Sequence, residues 1–154
     1  MAKLESTVTI VRPVEEVFRF FLDLDKSVTK TDPNVDSVVK TPEGPTGPGT
    51  TFHFRQKALG KIRHSTTTFI SVELNRKIEM EARLGPLRPK GAITFDQTNR
   101  GTTVSVRLNP NPVGPLKLLS PVFARIGQKV WNERLARIKA ALESSPRTAA
   151  DHTG

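Results

Sequence analysis

The chain has 154 residues, no cysteine, and a net charge of +9 from 24 Lys and Arg against 15 Asp and Glu. A composition of 36% hydrophobic and 25% charged residues excludes a disordered chain, and the missing cysteines exclude disulfides, thiolate metal sites and thiol nucleophiles. The positive surplus favours anionic partners such as an acidic head group or membrane surface, but the Lys and Arg residues are dispersed and not interleaved with aromatics, so no specific nucleic-acid binding is expected. The N-terminus lacks the layout of a signal peptide and no apolar run approaches membrane-spanning length, which makes the cytoplasm the expected location.

The first element is a strand, with Val8 and Ile10 on one face and Thr7 and Thr9 on the other. Pro13 then starts a helix, since its missing N–H has no partner to lose there. Glu15 and Glu16 sit in the favourable first turn, and Val14, Val17, Phe18, Phe21 and Leu22 form one apolar stripe. A short second helix in "DKSVTKTDPN" ends near Asp32-Pro33, because the residue before proline disfavours helical geometry.

From Val35 the apolar period becomes two. "VDSVVK" and "TTFHFRQK" read as strands on either side of the Pro- and Gly-rich loop "TPEGPTGPG", which lacks the spacing and helix context of a phosphate cradle. "KIRHSTTTFISVEL" is a long β-branched strand, and "KIEMEARL" alternates Ile78, Met80, Ala82 and Leu84 against charged residues. "GAITFDQ" and "TTVSVRLN" flank the hairpin turn "TNRG". Consecutive strands on short turns make an antiparallel sheet with one buried face. A long helix closes the chain, with Ser120 as N-cap, Pro121 first, and an apolar stripe of Phe123, Ile126, Val130, Trp131, Leu135, Ile138 and Leu142. Gly127 inside it marks a bend or a close approach. One domain over 1–144 and a frayed tail over 145–154 account for the whole chain.

The order strand, two helices, about six strands and a long helix describes an α+β helix-grip fold, a curved antiparallel sheet of about seven strands around the C-terminal helix. Four segments and the chain's end carry a specific likeness: "STVTIVRPVEEVFRFFLD", "TDPNVDSVV", "GPGTTFHF", "NRGTTVSVRL" and "NERLARIKAALES". In this order they resemble the START-like (SRPBCC) superfamily of polyketide cyclases/dehydrases, lipid-transfer START domains and pollen-allergen relatives. One departure is Thr31, where relatives often carry tryptophan.

The resemblance implies an internal cavity between sheet and long helix that holds a small hydrophobic or amphipathic molecule, lipid- or polyketide-like. Alternation places Phe52, Phe54, Ile62, Ile70, Met80, Ile93, Phe95, Val104 and Val106 on the inward face, with Phe123, Ile126 and Val130 opposite; each is either plain core or ligand contact. The register that buries Ile62, Ile70 and Val72 also turns His64, Thr66 and Thr68 inward as a polar patch for a ligand oxygen, unless a bulge shifts the strand. His53 alternates outward.

Enzyme signatures are thin: no HExxH, no GxSxG and no P-loop occurs, and the scattered histidines support no metal site or cofactor. The remaining catalytic option is a cyclase or dehydratase with His64 moving protons, near the outward-facing Arg83 and Arg107. Binding or carriage requires no such machinery. A further expectation is that the loop over 42–49 flanks the pocket mouth and gates it.

Overall fold

The computed structural model describes residues 3–58 and 60–144; the expected tail over 145–154 lies outside the described residues. Strand β1 (Leu4–Ile10) is followed by α1 (Val14–Leu22) and α2 (Leu24–Thr31). Six strands come next: β2 (Val35–Thr41), β3 (Thr51–Ala58), β4 (Lys61–Glu73), β5 (Lys77–Leu84), β6 (Lys90–Thr98) and β7 (Gly101–Asn109). A 3₁₀ turn (Gly114–Leu119) leads into the 25-residue helix α3 (Ser120–Ser144).

All seven strands join one antiparallel sheet in the order β1-β7-β6-β5-β4-β3-β2. Every pair except β1–β7 is sequential, so the topology follows from short connections, and only the first strand must find a distant neighbour. The curved sheet wraps α3, which runs along edge strand β1. Two edge amides of β1 and its exit are satisfied by the helix: Glu5 N–H donates to Gln128 Oε1 at 3.1 Å and Val11 N–H to Glu143 Oε2 at 2.8 Å. A protected edge is a poor template for pairing with another chain. No helix of the described residues is long and apolar enough to cross a membrane.

Helix α1 buries Val14, Val17, Phe18 and Phe21, the stripe its spacing predicts. Phe18 and Phe21 meet Phe95 edge-on, with centroids 5.0 and 5.4 Å apart, the arrangement that aromatic quadrupoles favour. Helix α2 ends at Asp32, as the following proline requires.

Three local expectations are corrected. Ser120 does not cap α3: the 3₁₀ turn already precedes it, so Ser120 is helical and its hydroxyl donates to the Lys117 carbonyl at 2.7 Å. In β4, pairing with β5 slips between Phe69 (opposite Met80) and Ser71 (opposite Glu79), leaving Ile70 as the extra residue of a bulge. Before the bulge the inward residues are therefore Ser65, Thr67 and Phe69, while Ile62, His64, Thr66, Thr68 and Ile70 face outward. The gain is clear, since the slip fully buries Phe69 and still turns Val72 onto the core, at the cost of leaving Ile70 in water.

The third correction concerns α3. Its inward stripe is Ala124, Gly127, Trp131, Leu135, Ile138 and Leu142, whereas Ile126 and Val130 are exposed and Phe123 is half-buried. Close packing is the reason: a Cβ on Gly127 would lie 2.5 Å from Leu4 Cδ2, so the N-terminal half of α3 presents its smallest residues to the sheet. Sequence reading chose the largest. The close approach expected at Gly127 is present.

Candidate functional site

A cavity of about 160 Å³ opens where α1, α2, the sheet and the middle of α3 meet. Phe21, Leu24 and Val28 contribute from the helices, Phe54, Met80, Ile93 and Leu108 from the sheet, and Trp131 and Ile138 from α3. For scale, an apolar void of about 150 Å³ admits benzene, so the space suits one ring or a short chain. Met80 lends such a wall adaptability.

The polar part of the lining comes from four side chains, Gln56, Ser65, Thr67 and Arg134. Arg134 is its one charged group, and no carboxylate lines the cavity among the described residues. The guanidinium stacks on Trp131, 4.8 Å from the ring centroid, and stays half-buried. Desolvation pulls its pKa below the ordinary guanidinium value, Asp32 pulls it back up and Arg137 pushes it down; at neutral pH a guanidinium so placed keeps its proton.

Asp32 is the counter-ion, and it is oversubscribed. Its Oδ1 accepts the Asn34 N–H at 3.0 Å, while Oδ2 lies 4.0 Å from Arg134 and 3.8 Å from Arg137. Two cations therefore share one buried carboxylate, a local surplus of one positive charge. Both distances exceed a direct hydrogen bond, and Arg134 donates no hydrogen bond among the described residues. A guanidinium with five N–H donors thus faces an otherwise neutral cavity largely uncommitted.

Of the residues nominated from sequence, Phe54, Met80 and Ile93 line this cavity. Phe52, Phe95, Val104 and Val106 face inward but are packed into solid core; Phe52, for example, lies 5.0 Å from Phe69. His64, Thr66, Thr68 and Ile70 are on the outer face because of the β4 bulge, and His64 sits in an open depression beside Arg55 and Arg83. The proton-transfer role considered for His64 in a cyclase or dehydratase loses its place with that register. Arg83 and Arg107 face outward as their alternation predicts. So does His53, whose Nε2 lies 3.0 Å from Thr41 Oγ1. Ile126 and Val130 are turned to water, and Phe123 is half-buried outside the cavity lining.

The loop over 42–49 contributes nothing to the lining; Thr46 instead bonds Asp23 and Lys40 at 3.4 Å each. Sequence reasoning missed Arg134, Ser65 and Thr67. Arg134 is detectable as a cation three residues after Trp131, on the flank of the inward stripe. Ser65 and Thr67 needed the bulge.

A seven-stranded antiparallel sheet curved around a long C-terminal helix, with two short helices after the first strand, defines a helix-grip protein. Within that class, the chain belongs to the family described as polyketide cyclase / dehydrase and lipid transport, which matches residues 1–143. The fold is shared with the crystal structure of Ara h 8.0201, at TM-score 0.76 and 18% identity over 93% of this chain and 98% of that one. It is also shared with protein CV1439 from Chromobacterium violaceum (TM-score 0.69, 18% identity, 94% and 100% covered). TTHA0849 from Thermus thermophilus is similar to the same degree (TM-score 0.69, 19% identity, 93% and 99% covered). No curated protein matches the sequence.

Proposed function

We propose that residues 1–144 act as one binding domain that holds or carries a small amphipathic molecule, an apolar ring or short chain ending in an anionic group such as a carboxylate. The observation that carries this reading is the one charged side chain of the lining, Arg134, which shares its counter-ion Asp32 with Arg137, in a cavity lined mainly by apolar side chains. A half-desolvated cation without a full partner is costly, and a ligand carboxylate would relieve that cost while its apolar part displaces water from Phe54, Met80 and Trp131. Ser65 and Thr67 supply hydroxyls for a second ligand oxygen. Membership of a family whose description includes lipid transport supports an apolar cargo.

The test compares phenylacetate with its neutral isostere phenylacetamide by calorimetric titration. The acid binds about tenfold more tightly, and Arg134→Gln removes the difference while leaving weak binding of both, since a charge-assisted hydrogen bond is worth about 1.5 kcal/mol more than a neutral one. Failure of both compounds to bind overturns the cavity reading. Equal binding of the two to the unmodified protein overturns the charge reading alone. Mass spectrometry under native conditions of protein from its own host would then identify the natural cargo.

A further inference from the structure

The 3₁₀ turn and the first half of α3 present large apolar side chains to water: Leu118 is 87% exposed, Val122 51%, Ile126 55% and Val130 41%. Val122, Ile126 and Val130 recur every fourth residue and so form one stripe along the helix, which Leu118 and Leu119 of the 3₁₀ turn extend. A single exposed leucine is ordinary in a folded protein, but a contiguous apolar run marks an interaction face. The core does not want these residues, because the sheet is approached by Ala124 and Gly127 on the other side of the same helix.

The surroundings of the stripe are basic. Lys117, Arg125 and Lys129 are exposed on and beside it, and no Asp or Glu occurs from Gly114 to Asn132; the first carboxylate is the exposed Glu133 at the far end of the stripe. None of these three cations is within ion-pair distance of a carboxylate among the described residues. An apolar stripe with unpaired cations is the pattern that seats a helix at a lipid interface, its apolar side at the acyl boundary and its cations among the head groups.

We propose that this face of α3 docks the protein on an anionic lipid surface. Charge decides among the possible occupants: two copies packed stripe to stripe would gather both sets of Lys117, Arg125 and Lys129 into one interface, whereas acidic head groups neutralise them. The position is also useful. Arg134 follows Val130 by four residues, on the flank between the exposed stripe and the cavity-lining side of α3. Docking through the stripe therefore leaves that flank, and the cavity that Arg134 lines, beside the lipid, where an amphipathic molecule would be collected or released. The docking itself does not depend on the identity of the cargo.

Flotation of the full chain with equimolar phosphatidylglycerol–phosphatidylcholine vesicles, against pure phosphatidylcholine vesicles, tests this. Each basic side chain near an anionic surface is worth about fivefold in affinity, so the three together give roughly a hundredfold preference for the anionic vesicles at low salt. Ile126→Glu lowers that binding at least about tenfold with an unchanged thermal midpoint, because the side chain is already in water. Replacing Lys117, Arg125 and Lys129 together by Gln sharply weakens the salt dependence. Absence of binding to anionic vesicles at low ionic strength overturns the proposal, as does binding that survives Ile126→Glu. A dimer in sedimentation that Ile126→Glu dissociates, without vesicle binding, overturns it in favour of a second copy as occupant.

Discussion

Asp32 serves two arginines with one oxygen, and its removal has effects of opposite sign on folding and on binding. Asp32→Asn leaves Arg134 and Arg137 without a counter-charge in half-buried positions, which costs about 1–2 kcal/mol after allowance for their access to water. The same change frees Arg134 for a ligand, so phenylacetate binds severalfold more tightly; denaturant midpoints and titration of the same variant measure both. Glu143 behaves differently. The hydrogen bond from Lys139, and next that from the Val11 N–H, hold its pKa below the ordinary 4.5. A carboxylate lowered in the folded state adds stability that is fully present above 4.5 and fades as pH falls through the lowered value. Acid melting of Glu143→Gln is accordingly flatter below 4.5 than that of the unmodified protein, and equal pH slopes would show that the contact between α3 and β1 is energetically silent.

At the scale of elements, the bulge in β4 separates two adjacent residues. Phe69 is fully buried and Ile70 lies in water, the reverse of the unbroken alternation that takes Ile62, Ile70 and Val72 as inward. Phe69→Ala should cost about 3–5 kcal/mol and Ile70→Ala well under 1 kcal/mol; comparable losses in chemical denaturation would refute the observed register. Gly91 of β6 makes a similar point about backbone. A Cβ there would lie 2.0 Å from the Arg107 carbonyl oxygen, an atom that cannot move without breaking the β6–β7 ladder. Gly91→Ala is expected to destabilise by several kcal/mol, against the few tenths typical of exposed strand positions. The boundaries of α1, α2 and all seven strands were legible because amphipathic period and proline or glycine punctuation are local signals. Facing was legible where one period runs uninterrupted, as in α1 and β5. It failed at Ile70, where one extra residue reverses the parity, and in α3, where the packed side is chosen by distance to β1 rather than by hydrophobicity.

Across the whole molecule, the packed and hollow parts of the interior are separate. Phe18, Phe52, Phe69, Phe95 and Val104 form solid core, and the open space lies beside α2 and the middle of α3. A ligand held there binds the folded state alone, so phenylacetate at a hundred times its dissociation constant adds about 2.7 kcal/mol and raises the melting temperature by roughly 5–10 °C. An unshifted melting curve at saturation would mean that the compound binds elsewhere or not at all. The sequence by itself determined the helix-grip class, the order of its elements and the inward place of Phe54, Met80 and Ile93, because hydrophobic period and turn chemistry act within a few residues. Only the tertiary structure decided that His64 lies outside, that Arg134 lines the cavity with a counter-ion shared with Arg137, and that α3 turns Val122, Ile126 and Val130 to water. Those outcomes depend on how closely β1 and α3 approach and on where β4 slips against β5, and both are settled by packing between segments far apart in the chain.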